Sequence, residues 1–173
     1  MAALVTAGLV SAYQGVVLNV RAGSVQTTFI GAVANVRRAF ASATTFAGGR
    51  ASMNAIIYSS APDNFRNTNG SARDAGITFP WWEGSSKLIA SATAAEHSAD
   101  LFTLHLENVP PAVCEAVGAA FIGNSSVEQI AADKAAAIGG AGEVADTGVD
   151  LAANCANVDS DDDLTDLKIQ FRG

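Results

Sequence analysis

Two histidines, two cysteines and a run of aspartates are the residues of this sequence whose types and spacing bear most directly on chemistry. His97 and His105, with Ser98 or Asp100, would supply the base, nucleophile and orienting acid of a hydrolytic site. Their neighbours are ordinary strand and turn residues. The chain also carries no Gly-x-Ser-x-Gly elbow, phosphate-binding loop, His-Glu-x-x-His helix or glycine-rich dinucleotide loop placed after a strand. No catalytic residues and no cofactor are therefore expected. The acidic run from Asp159 to Asp166 offers Asp159, Asp161, Asp163 and Asp166 as oxygen ligands for a hard cation such as calcium, but it lacks the glycine and closing glutamate of an EF-hand. A solvated turn leading into a final strand is the commoner fate of such a run. Cys114 and Cys155 have neither Cys-x-x-Cys spacing nor a neighbouring histidine to complete a zinc set. They read either as one bridge formed in an oxidising compartment or as two buried free thiols. A bridge would close a loop of roughly 40 residues and contribute about 4 kcal/mol by loop entropy.

The elements that position these residues are bounded first by size and charge. A chain of 173 residues makes one domain with its own core and is too short for two. Hydrophobic residues at 49% against 16% charged exclude a disordered chain. Ala and Gly supply much of the apolar count and aromatics only 7%, so a core of small side chains is expected. No acid precedes Asp63. Arg21, Arg37, Arg38 and Arg50 give Met1 to Pro62 a charge of +4, and the remainder carries -11. A net charge of -7 argues against a nucleic-acid-binding surface. The basic stem and acidic head form a dipole that could align neighbouring copies, unless the arginines simply end an apolar segment.

That apolar segment, MAALVTAGLVSAYQGVVLNV, is uncharged throughout. As a helix, these first 20 residues would span about 30 Å, the length of a membrane crossing, although Thr6, Ser11, Gln14 and Asn19 make it weakly hydrophobic. A cleavable signal peptide fits less well, because the basic residue follows the apolar run. Beyond Arg21, Val25, Phe29, Val33, Val36 and Phe40 recur at spacings of three and four, one face of a helix. With no proline before Pro62, the spacing predicts one helix from Ala2 to about Thr44, on the order of 60 Å long, stopped by the sequence TTFAGG. Gly8, Gly15, Gly23 and Gly31 fall near one stripe of it, where backbones of neighbouring copies could approach closely; glycine is also simply common in apolar helices.

After Arg50 the pattern turns to short β-prone runs. Predicted strands are Asn54 to Tyr58, Gly76 to Phe79, Lys87 to Ala92, Leu101 to Glu107 and Asp166 to Arg172, the clearest being DLFTLHLEN with Phe102, Leu104 and Leu106 on one side. Predicted helices are VPPAVCEAVGAAF, opened by prolines, and SSVEQIAADKAAAI, with Ser125 or Ser126 as its cap. The GGAGE stretch after the second reads as a surface excursion between the cysteines. Trp81 and Trp82 after Pro80 read as an edge-strand cover over the core or, less commonly, as a partner-binding surface.

Together these parts resemble a type IV pilin of the type IVb class: an α+β fold in which a long N-terminal helix packs on an antiparallel sheet, with a C-terminal disulfide-bounded region. The stretch LHLENVPPAVCEAV, Leu104 to Val117, resembles the strand, turn and first disulfide cysteine of that family. LTDLKIQFRG resembles its closing strand, and AALVTAGLVSAYQ the lower part of its helix. The resemblance implies a Cys114–Cys155 bridge around a D-region of 114–155. It divides the chain into a helix of 1–44, with an apolar membrane or filament-core half at 1–20 and an amphipathic half at 21–44, and a head of 45–173. Leu4, Gly8, Leu9, Gly15, Val16 and Gly23 would pack in a filament core, and Val25, Phe29, Val33, Val36 and Phe40 against the head. One position departs: Val5 stands where the family carries a docking glutamate. Aligned on AGLVSAY, the chain joins the family helix about a dozen residues in, some three turns. A truncated chain or a subunit docking without that acid is expected.

The implied function is that of a non-enzymatic major pilin. It would be held in the inner membrane and then polymerised with itself by the assembly machinery into an extracellular filament, for adhesion, aggregation, DNA transfer or motility, with a host or bacterial surface receptor as a further partner. A minor pilin or secretion pseudopilin is the alternative. A membrane-anchored periplasmic binding domain is a second, which would show a concave site of convergent polar groups.

Overall fold

In the computed structural model, residues 2–41, 49–66, 76–81, 86–91, 101–132, 148–158 and 163–172 are described, without the side chains of 2–13, 49–52, 91, 148 and 149. With no proline to interrupt it, helix α1 runs over Ala2–Phe40, 39 residues or about 58 Å. Helix α2 (Gly49–Ser60) and a 3-10 turn (Asp63–Phe65) follow. Then come β1 (Ile77–Phe79), β2 (Ser86–Ser91), β3 (Leu101–Val109), α3 (Pro111–Ala119), β4 (Val127–Ala132), α4 (Gly148–Cys155) and β5 (Thr165–Arg172). The strands form one antiparallel sheet in the order β1-β2-β3-β5-β4, so the last strand lies between β3 and β4. This is the type IV pilin arrangement of a long helix on an antiparallel sheet, closed by a Cys114–Cys155 disulfide.

Two predicted elements change type. The strand expected at Asn54 to Tyr58 is part of α2. Its β-branched Ile56 and Ile57 suggested a strand, but the buried residues Met53, Ile57 and Ala61 follow a spacing of four, one helix face. Asn54 anchors that helix: its buried Oδ1 accepts the Ala90 backbone N–H at 2.6 Å. The helix expected from Ser125 instead begins with a turn and becomes β4. Asn124 Oδ1 accepts both the N–H and the Oγ–H of Ser126, at 3.0 and 2.7 Å, forming a side-chain turn rather than a helix cap. The Ser126 carbonyl then accepts the Arg172 N–H at 2.9 Å, which draws the chain into the β5 ladder. Alanine's helix propensity yields here to the burial of Ile130, Ala131 and Ala132. Residues 133–138 of that prediction lie outside the described residues.

The core is not built from small side chains alone. Phe29 of α1, Phe121 after α3 and Phe171 of β5 meet with ring centroids 5.4 to 6.3 Å apart, and Phe102 stacks on Phe171 at 5.3 Å. The few aromatics are concentrated where helix, sheet and disulfide region join. A second group, Phe65, Phe79 and Trp81, closes the β1 end, with Phe65 edge-on to both partners. Trp81 therefore covers core; Trp82 lies outside the described residues. Two glycines are required by close approach. Gly76 has φ +76°, and a Cβ there would sit 2.0 Å from the Leu88 carbonyl oxygen. A Cβ on Gly118 would come within 2.9 Å of both Leu151 methyls, so its absence lets α4 lie against α3 beside the disulfide.

Candidate functional site

Helix α1 has two differently occupied faces. Ala22, Val25, Phe29, Ala32, Val33 and Val36 are buried against the head, with Leu18 and Phe40 partly so, a series in steps of three and four. Roughly opposite runs a second series, Val16, Val20, Gly23, Thr27, Ile30 and Ala34, also in steps of four and three. This stripe faces outward: Val16 is 62% exposed, Val20 68% and Ile30 46%, the large hydrophobic side chains most open to solvent among the described residues. At Gly15, Gly23 and Gly31 an added Cβ would meet nothing within 4 Å. The glycine stripe is therefore unfilled space along a bare helix. Leu4, Gly8 and Leu9 lie among the side chains outside the described set. The second periodic series was present in the sequence, but the stronger first series and the glycines masked Val20, Thr27, Ile30 and Ala34.

Two of the stem arginines bind this chain's own head. Arg21 Nη1 donates to the Trp81 carbonyl at 3.2 Å. Arg37 Nη2 donates to the carbonyls of Arg172 at 2.9 Å and Ser126 at 3.3 Å, with its guanidinium 5.6 Å from the centre of the Phe171 ring. They latch the helix at both ends of its buried face to carbonyls at the β1 and the β4–β5 ends of the sheet. Arg38 is exposed and donates to Asn35 Oδ1. The charge split noted in the sequence is thus partly an intramolecular clamp.

Among the described residues the chemistry-bearing side chains do not converge. The Cys114–Cys155 disulfide joins α3 to α4, with Cα atoms 5.7 Å apart, and both cysteines are buried. His105 lies on the sheet face away from Leu104 and Leu106. Its Nε2 is 2.8 Å from Asp166 Oδ2 and its Nδ1 3.3 Å from Glu107 Oε1. Asp166 Oδ1 accepts the Asn108 N–H at 2.9 Å, where Asn108, at φ 53°, sits in the register shift between β3 and β5. Burial pushes the Asp166 carboxyl up. The hydrogen bonds from His105 and the Asn108 N–H, with the charges of His105 and Lys168, outweigh it and hold the pKa below the ordinary carboxylate value. His97, Ser98 and Asp100, the other members of the hydrolytic reading, lie outside the described residues. Of the calcium candidates, Asp159 and Asp161 also lie outside, Asp163 is exposed, and both Asp166 oxygens are engaged by β3. Asp166 is thus a strut across the β-bulge and not a free ligand. Among the described residues no three His, Cys, Asp or Glu side chains gather as a metal set, and no helix is long and apolar enough to cross a membrane.

A helix with one face on an antiparallel head and the other bare, with a disulfide-bounded region beside it, defines the chain as pilin-like in class. The profile of the family described as PilS N terminal matches residues 19–165, and the chain belongs to that family, which ties it to type IV pili. No curated protein and no solved structure matches it.

Proposed function

We propose that this chain is a major structural subunit of a type IVb pilus, a non-enzymatic block that polymerises through α1. The observation that carries the reading is the bare stripe. Val16, Val20 and Ile30 hold apolar surface in water on a helix already anchored to its head by Phe29, and burial of such surface is worth about 25 cal/mol per Å2. A partner is called for, and a like helix from a second copy supplies one. The division of labour follows: residues 1–44 form the stem, 45–173 the head, and 114–155 the D-region. The assembly machinery delivers the subunit to the extracellular filament, where neighbouring stems cover the stripe. The head's acidic surface meets the receptor.

Electron microscopy of filaments sheared from cells expressing the full gene, with mass spectrometry of their subunits, tests this. Thin filaments composed chiefly of this chain are the expected result. Filaments in which it is rare would make it a minor pilin or pseudopilin. Complete absence from filaments would overturn the assembly role.

A further inference from the structure

On the sheet face opposite Leu104 and Leu106, one histidine stands between two carboxylates. His105 Nε2 is 2.8 Å from Asp166 Oδ2 and Nδ1 is 3.3 Å from Glu107 Oε1, so both ring nitrogens face oxygens. An ionised carboxylate only accepts hydrogen bonds, and a neutral imidazole carries a single N–H. The neutral ring therefore cannot satisfy both neighbours. The shorter contact marks Nε2 as the nitrogen that donates, to Asp166, in either charge state. Nδ1 then sets a lone pair against the Glu107 oxygen unless a second proton lies between them.

Asp166 is ionised throughout the range in which a histidine changes charge, because its hydrogen bonds hold its pKa below the ordinary carboxylate value. Among the described residues, the neighbouring strands bring two further charges to this face. Lys168 of β5 is the register partner of His105, and Lys87 of β2 is that of Glu107. Their charges offset those of the carboxylates from either side of β3. The contact left to the ring's own proton is the one between Nδ1 and Glu107.

That contact is wired into the seam between β3 and β5. Asp166 Oδ1 accepts the Asn108 N–H at 2.9 Å inside the register shift, and Ser86 Oγ of β2 donates to the Asn108 carbonyl. Ring, carboxylate and bulge thus form one chain of hydrogen bonds across three strands. At its far end β5 carries Phe171 and Arg172 against α1.

We propose that His105 is a proton-operated clasp on the β3–β5 seam: protonated, it donates to Asp166 and Glu107 together, and neutral, it holds Asp166 alone. The head is then held more tightly in mildly acidic surroundings than in alkaline ones, and the strand that tightens is the one on which α1 is seated. Both His105 and Glu107 are partly open to water, which lets the proton exchange and keeps the effect modest.

The test compares the oxidised full-length chain in mild detergent with His105→Gln and Glu107→Gln, at about pH 5.5 and about pH 8. The wild type is expected to melt further above His105→Gln at the lower pH than at the higher, by about 2–4 °C. An equal gap at the two pH values would overturn the proposal. Glu107→Gln separates the clasp from a purely structural role, because a carboxamide can donate to the bare Nδ1. The extra stability at the lower pH is expected to vanish in this variant, with no loss at about pH 8. An equal loss at both pH values would overturn the clasp. Ring-nitrogen NMR of the wild type needs no variant to fold at His105, and His97→Gln assigns the signals, since the chain has two histidines. His105 is expected to carry protons on both nitrogens at about pH 5.5 and on Nε2 alone at about pH 8. A proton on Nδ1 alone at the higher pH would overturn the proposal.

Discussion

Phe29 and Ile30 are adjacent in sequence and about 100° apart around α1, one turned to the head and the other to solvent, so they separate the helix's two tasks. Phe29 is fully buried and touches the rings of Phe121 and Phe171, whereas Ile30 is 46% exposed. Phe29→Ala removes a buried ring and leaves a cavity at the junction of helix, sheet and disulfide region, a cost of about 3–5 kcal/mol. For a chain of 173 residues, at about 2–4 °C per kcal/mol, the melting temperature falls by about 6–20 °C. Ile30→Ala loses only part of a side chain that already meets water and gains a better helix former, so its cost stays within about 1 kcal/mol. Near-UV circular dichroism melts of the oxidised full-length chain in mild detergent compare the two directly. Filament yield should rank differently, because Ile30→Asp leaves the head folded but puts a charge on the bare stripe. Should Phe29→Ala melt within about 2 °C of wild type, or Ile30→Ala cost as much as Phe29→Ala, the assignment of the two faces would be wrong.

Other perturbations test the head. Cys114 and Cys155 are 41 residues apart, so the double Cys→Ser variant should lose about 4 kcal/mol, read as a lower urea midpoint with a steeper slope as the unfolded chain loses its crosslink and expands; an unchanged midpoint would contradict this. Because the folded-state pKa of Asp166 lies below its ordinary value of 3.8, its contribution is complete above that value and drains away as pH falls through the lowered one. Asp166→Asn should therefore flatten the decline in melting temperature below about pH 4, and an equally steep decline in the variant would refute the strut. Gly76→Ala brings a Cβ to 2.0 Å from the Leu88 oxygen at a φ of +76°, adding a clash of about 1–3 kcal/mol to a left-handed backbone cost of about 1–2 kcal/mol. Thermal melts should show it to be far more damaging than Gly23→Ala, whose added methyl meets open space.

The parts of the fold most legible in the sequence were those where period and burial agree. Val25 to Phe40 and the alternation of Phe102, Leu104 and Leu106 each place apolar side chains on one face, and both elements form as read. Pro110 and Pro111 opened α3 where predicted, since proline suits the first helical turn. Misreadings came where local preference opposed tertiary demand. The β-branched pair Ile56 and Ile57 sits in a helix because α2 must cover β2, where Asn54 pins it to Ala90. The alanines after Gln129 join a strand because β5 needs a neighbour on its outer side. Helix α4 was not foreseen; it is held where Leu151 packs against Gly118 of α3, a contact between segments distant in sequence. As for the candidate site, the sequence displayed both periodic series of α1, yet which one a head would cover depends on contacts made by residues more than a hundred positions away.

The place of β5 in the sheet has a consequence for how the molecule is made. The strand that β3 and β4 both need as a neighbour is synthesised after both of them, and its Phe171 and Arg172 complete the seat of Phe29 and Arg37 on a helix that precedes every strand of the sheet. Until β5 is in place, the helix has an unfilled berth on one side and a bare stripe on the other, and the sheet is split in two. A nascent chain stalled before β5 would present both apolar faces of α1 to whatever holds it in the meantime.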